Sequence, residues 1–308
     1  MLVTVLAGGV GAARFLTGLF PLVRPEDLTV VVNTGDDVNL FGLHISPDID
    51  IVTYTLAGVV DDVKGWGIKG DTFCCLEMLK LFGEVGWFNL GDKDFATSVL
   101  RTSMLRAGAS LSQVSAKVGC DLGLKLKILP MTDDPFTTYV RIPDGLVHFE
   151  EYLVKREAKD TVLGVEFVGV ESAKPAAGVI DAIMRSDLVI ICPSNPVVSI
   201  GTILSIQGVR DALRKTFAKK IAVSPIIAGA PIKGPADKLL HSLGVEVSAF
   251  GVAKLYADFL DVFVIDFLDA TEQGRIEALG VKVVVGNTLM TDLASKTALA
   301  KLVLDSLA

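Results

Sequence analysis

A hydrophobic, β-branched run, Leu2-Val-Thr-Val-Leu-Ala7, feeds directly into Gly8-Gly9-Val10-Gly11 and then into residues with helical spacing. A strand that passes through glycines into a helix is the first half of a βαβ unit, and few folds begin that way. Glycine lets the backbone turn sharply and lets a ligand come close. A helix that starts at such a turn aims unpaired N–H groups and the positive end of its dipole at an anion. Gly8, Gly9 and Gly11 are therefore expected to cradle a phosphate. Gly9-Val10-Gly11 supplies two glycines of the dinucleotide fingerprint, and Arg14 stands where the third would be. No Gly-Lys-Ser/Thr follows, which excludes a Walker-type loop.

The first helix is expected over residues 12–23 and a second strand over 28–33, completing a right-handed βαβ unit. A long acidic loop spans 34–50. Residues 51–123 read mostly as helix, with Asp71 as an N-cap and Ser110 and Gln113 at capping-box spacing. Strands are expected at 125–129, 137–142 and 145–152. Strand–helix alternation then returns, with strands at 188–192, 221–224, 262–266 and 281–285 and helices at 201–215, 235–243 and 291–307. This order implies an α/β fold, a doubly wound, mostly parallel Rossmann-like sheet. The chain reads as a single domain, 1–308, with a helical cap insertion at about 51–123.

Hydrophobic residues make up 51% of the chain. No apolar run reaches the roughly 18 residues of a spanning helix, so no membrane is expected as a partner. Short runs such as Leu188-Val-Ile-Ile-Cys192 suit strands buried on both faces of a parallel sheet. The net charge of −7 comes with no basic block, which argues against nucleic acid. Cys74, Cys75, Cys120 and Cys192 show no metal-binding spacing and read as buried thiols in a reducing cytoplasm. Three histidines, His44, His148 and His241, are too few for a multi-histidine metal site or a serine–histidine triad.

Four polar or glycine-rich loops follow expected strand ends: Gly8–Gly11, Asn33-Thr-Gly-Asp-Asp37, Pro193-Ser-Asn-Pro196 and Ser224-Pro-Ile-Ile-Ala-Gly229. Ligands of open α/β sheets bind beyond those ends, where strand order reverses. Asp36, Asp37, Asp48 and Asp50 would repel one another if gathered, and a divalent cation would remove that cost. Magnesium takes one or two carboxylates and completes its shell with water and phosphate oxygens. Ser194 and Asn195, held between prolines, can present fixed hydrogen-bonding groups. Trp66 and Phe73 suit either a core or a surface that stacks on a flat ring. Leu90-Gly-Asp-Lys-Asp94 sets a cation and two acids before a helix.

Taken in order along the chain, these segments, with Gly8-Gly-Val-Gly-Ala-Ala-Arg-Phe15, Ser46-Pro-Asp-Ile-Asp50, Pro193-Ser-Asn-Pro-Val-Val-Ser-Ile-Gly201 and Asn287-Thr-Leu-Met-Thr-Asp292, make the sequence resemble the 2-phospho-L-lactate transferases of coenzyme F-420 biosynthesis. The resemblance implies a cytoplasmic, homodimeric transferase. Its donor would be a GDP-linked lactate or the enolpyruvyl counterpart, and its acceptor the deazaflavin alcohol Fo. The ribityl hydroxyl would attack the phosphorus bearing the acid, with release of GMP and help from Mg2+. On that basis Gly8, Gly9 and Gly11 hold the diphosphate, and Asn33, Ser194, Asn195 and Ser224 join the nucleotide site. Trp66 and Phe73 face the ring. Asp36 and Asp50 are the first choices for the cation, with Asp37 and Asp48 second. Asp50 would also lie close to Fo and accept its proton, and Lys93 would neutralise charge or contact Fo.

Two other readings make different demands. A related family of nucleotide-sugar-binding regulatory proteins shares the glycine-rich start, but Asn33-Thr-Gly-Asp-Asp-Val-Asn-Leu-Phe41 lacks its glycine- and serine-rich run. An NAD-dependent dehydrogenase needs an acid at the end of the second strand, where this chain has Asn33.

Overall fold

Along Val3–Ala7 every residue is buried, and successive side chains enter different cores. Val3, Val5 and Ala7 pack on one side of the sheet, and Leu6 on the other. This is the signature of a strand covered on both faces, and it requires the continuous apolar run seen in the sequence. The computed structural model describes residues 1–307. Its central sheet contains β1 (Val3–Ala7), β2 (Leu28–Val32), β3 (Lys127–Pro130), β4 (Leu188–Ile191), β5 (Lys219–Val223), β6 (Val262–Asp266) and β7 (Lys282–Gly286). All neighbours pair in parallel, in the spatial order β7-β6-β5-β4-β1-β2-β3. The doubly wound α/β architecture is as expected.

One face of the sheet is covered by α1 (Gly9–Leu19), α2 (Pro47–Leu56) and the helix Leu293–Asp305, through Phe15, Leu16, Val52, Leu299 and Val303. The opposite face packs on short helices between 179 and 256 and on a three-stranded antiparallel sheet, Thr137–Ile142 with Gly145–His148 and Gly164–Val168. Between α2 and β3 run α3 (Cys74–Leu81), α4 (Asp92–Arg106) and α5 (Leu111–Asp121). No helix among the described residues is long and apolar enough to cross a membrane.

Several local expectations give way to tertiary structure. The first helix begins at Gly9, not after the glycines, so the turn itself is its first turn. Residues 34–50 are not a loop. Val38–Leu40 and Leu43–Ile45 form a hairpin, turned at Phe41 and Gly42, whose φ values are 54° and 74°. Pro47 then opens α2 at a position whose missing N–H costs nothing. Asp48 and Asp50 are thus carried on a helix. Asp71 does not cap α3. It accepts the Lys93 N–H at 2.9 Å and caps α4, while Asp92 accepts the Cys75 N–H at 2.9 Å and caps α3. The two acids lace the helix starts together. The Ser110–Gln113 capping box forms as expected, with bonds of 2.9 and 3.2 Å.

Residues 201–215 split into Ile200–Ser205 and Val209–Lys215, because Gly208 adopts φ 86° between them. Helices Val179–Arg185 and Ala249–Tyr256 and strand Gly164–Val168 were not anticipated. The cysteines also correct their reading. Only Cys192, beside the sheet, is buried, whereas Cys74, Cys75 and Cys120 lie on outward faces of α3 and α5.

Candidate functional site

Strand order reverses at β1, flanked by β2 on one side and β4 on the other. Beyond the carboxyl ends of β1 and β4 opens a cavity of about 740 Å³. Its floor is built from the two loops that leave those strands, Gly8–Gly11 and Pro193–Asn195. Gly8 is the N-cap of α1 in extended conformation, makes no side-chain cap, and no acid lies in the first turn. The helix therefore presents its N–H groups and dipole toward the cavity. Gly9 needs its positive φ of 67°. Gly11 needs to lack a side chain, since a Cβ there would lie 2.3 Å from the Pro193 carbonyl oxygen. Gly11→Ala is expected to push the two floor loops apart, costing about 1–3 kcal/mol of stability. A thermal melt checks this.

Asn33, at the end of β2, organises the acids. Its amide donates to Asp36 Oδ2 at 3.1 Å and to Asp48 Oδ2 at 2.9 Å, and its Oδ1 accepts from the Gly35 N–H and Thr202 Oγ1. One neutral side chain thus holds two carboxylates together. Asp36 is 4% exposed, and its second oxygen, Oδ1, has no partner. Burial, then the charges of Asp48, Glu150 and Asp37, push Asp36 well above the usual carboxylate range. Burial likewise pushes Asp48 up to about 7. Glu150 is pushed up to about 8 by burial, then by Asp48 and Asp37. Asp94 rises to about 6, through burial and then Asp50.

The folded protein holds protons on these acids that the unfolded chain has already released. Stability therefore falls as pH rises from about 4 toward about 8. The protein free of ligands is expected to melt higher at pH 5 than at pH 8. A melt that rises over that interval would contradict this charge crowding.

Asp50 lines the same cavity but is engaged differently. Its carboxylate pairs with Arg101 of α4, which is 1% exposed. Asp37 is drawn the other way, to Ser46 Oγ and His44 Nε2, each at 2.8 Å. Of the acids named from sequence, the structure thus brings Asp36 and Asp48 together, sets Asp50 beside an arginine, and places Asp37 behind them.

The remaining candidates divide. Trp66, Ser194 and Asn195 line the cavity. Ser194 Oγ accepts from the Gly8 N–H at 3.4 Å, and Asn195 Oδ1 accepts from the Val197 and Val198 N–H groups. Phe73 packs edge-on behind Trp66, with ring centroids 6.4 Å apart. The Ser224 hydroxyl is used by the Ile226 backbone, and the adjoining Pro225 reaches the cavity instead. Lys93 Nζ donates to the Lys69 and Gly70 carbonyls, outside the cavity lining. Arg14 and Lys233, neither in an ion pair among the described residues, both line the cavity, and burial, then the charge of Arg14, lower Lys233.

Arg101, Glu150 and Lys233 had not been singled out. Each stands in an ordinary helix or loop sequence, and only tertiary packing brings it to the site. Ile51, Trp66, Phe88, Leu90, Phe149 and Leu153 line the same cavity and give it an apolar chamber. The whole can hold a diphosphate at the glycine turn, a cation at Asp36 and Asp48, and a flat ring in the chamber.

A family model described as 2-phospho-L-lactate transferase CofD matches residues 3–288. A phosphoenolpyruvate transferase of Streptomyces griseus is 43% identical over 99% of this chain and 98% of its own. A 2-phospho-L-lactate transferase of Methanosarcina mazei is 41% identical over 98% of this chain and 99% of its own. A crystal structure of a UPF0052-family protein from Bacillus halodurans superposes with a TM-score of 0.64, at 17% identity and over 98% of each chain, and shares the fold.

Proposed function

The chain belongs to the 2-phospho-L-lactate transferase CofD family, and from that premise we propose how its cavity carries out the transfer. The protein is a transferase of coenzyme F420 biosynthesis that moves a phospholactate or phosphoenolpyruvyl group. The donor is the GDP-linked three-carbon acid and the acceptor is Fo. The diphosphate lies over the Gly8–Gly11 turn and the N-terminus of α1, where backbone N–H groups and the dipole favour an anion. Arg14 and Lys233 are the cations placed to neutralise it. The deazaflavin ring occupies the apolar chamber against Trp66.

Asp36 and Asp48 would hold Mg2+. The unpartnered Asp36 oxygen and the shared Asn33 clamp suit a cation that takes two carboxylates and otherwise water and phosphate oxygens. When bound, the ion supplies neutralisation of the charge that develops on the diphosphate. Two carboxylates with no cysteine or histidine in the cavity lining offer hard oxygen ligands, which suit magnesium. The protein's own contribution is alignment. Two substrates held in line at one strand end convert an encounter into an intramolecular displacement.

The observation that carries this reading is the meeting of glycine turn, clamped acid pair and apolar chamber in one crevice. Its test is incubation with Fo, Mg2+ and each of the lactyl and enolpyruvyl guanosine donors. The expected result is GMP release and a phosphodiester of Fo detected by mass. No product with either donor would contradict it.

A further inference from the structure

Among the acids of the cavity, Glu150 stands apart. It is 6% exposed and lines the cavity, yet its carboxylate makes no hydrogen bond with any described residue. Every other acid of the lining is engaged. Asp36 and Asp48 share the Asn33 amide, Asp50 pairs with Arg101, and Asp94 accepts the Gly91 N–H at 3.4 Å. A buried carboxylate without a partner is costly unless a ligand provides one.

The backbone around Glu150 is fixed. Its N–H donates to His148 Nδ1 at 3.1 Å, and His148 Nε2 donates to the Asp37 carbonyl at 3.1 Å. This pair of bonds sets the His148 tautomer and ties Glu150 to the loop that carries Asp36. Phe149, Leu153 and Val154 line the cavity beside it, so the carboxylate sits in an apolar stretch of the lining.

Resting on the transfer reading above, we infer that Glu150 is the general base of the reaction. In its ionised form its carboxylate accepts a hydrogen bond from the attacking hydroxyl of the acceptor. As the hydroxyl oxygen bonds to the phosphorus bearing the three-carbon acid, the bridging bond from that phosphorus to the GMP phosphate breaks. The electron pair leaves on GMP, and the hydroxyl proton passes to Glu150 and then to solvent. A carboxylate in a dry wall accepts a proton more strongly than one in water, and a positioned base accelerates such a step by about 100- to 10,000-fold. Burial raises Asp50 too, but Asp50 is already hydrogen-bonded to Arg101, which offsets part of that rise and makes it the poorer acceptor.

The test compares wild type with Glu150→Gln, which keeps shape and removes the basic oxygen. Turnover with Fo, Mg2+ and donor is measured beside GDP affinity and a thermal melt. The expected result is kcat lower by about 100-fold or more, with GDP affinity within a factor of about three. Turnover within about threefold of wild type overturns the assignment, as does a loss explained by weaker GDP binding. Should Glu150→Gln fail to melt cooperatively, Glu150→Asp carries the test, since it withdraws the base by one methylene. A fall in kcat of about tenfold or more supports the role, and a smaller fall overturns it. Absence of product from wild type overturns the transfer reading and this assignment with it. Product from wild type with undiminished turnover by the variants overturns this assignment alone.

Discussion

Asp36→Asn is expected to lower turnover by about 100- to 1,000-fold while leaving the fold intact. The reason lies in the two oxygens of that carboxylate. One accepts from Asn33, and the other is buried with no partner. An asparagine can still present its carbonyl to the Asn33 amide, so the local geometry survives. It cannot offer an anionic oxygen to a cation. Asp36 is also crowded by Asp48, Glu150 and Asp37 and sits well above the usual carboxylate range. Removing its charge relieves that crowding, so the melting temperature of the variant should equal or exceed that of wild type near pH 8. Loss of activity with gain of stability is the pattern of a functional acid. Near-normal GMP release by Asp36→Asn would remove the residue from the account.

Arg101→Met is expected to cost about 3–5 kcal/mol of folding stability. Arg101 is 1% exposed, pairs with Asp50, and also donates to the His44 carbonyl at 3.4 Å. It joins α4 to α2 and to the hairpin that precedes α2. Without it Asp50 is left buried and uncompensated, and most of the penalty is that stranded charge. The double variant Asp50→Asn/Arg101→Met should therefore recover a large part of the loss, because neither charge remains. Denaturant unfolding of the four proteins of the cycle measures this. A single-variant loss below about 1 kcal/mol, as for an exposed ion pair, would contradict the role assigned to the pair.

The sheet was legible because strands buried on both faces must be written as short apolar runs, and these occur at β1, β4 and β6. The position of the crevice was legible for a related reason. Glycines and prolines mark strand ends, and the parallel topology brings those ends to one edge. The division of labour among the acids was not. Asp36, Asp37, Asp48 and Asp50 look alike along the chain. Their roles separate only when α2 rotates Asp48 toward Asn33 and Asp50 toward Arg101, a residue more than fifty positions away. The Ser46-Pro47 step carried the needed signal, since proline at the first position of a helix would have placed the two aspartates on α2. Lys93 and Asp71 show the opposite case. Their sequence suggests a reactive or capping group, and each is taken up in tying the segment before α3 to the start of α4. Glu150 had no local mark at all, because its importance comes from what does not touch it.

The central claim is that the donor's diphosphate, the cation and the deazaflavin meet in the crevice beyond β1 and β4. A crystal structure of the protein with GDP, Mg2+ and Fo tests it most directly. The account predicts the diphosphate over Gly8–Gly11, the ion on Asp36 and Asp48, and the ring against Trp66 with its ribityl chain directed toward Glu150. A nucleotide bound away from the glycine turn, or an ion held without either aspartate, would contradict it.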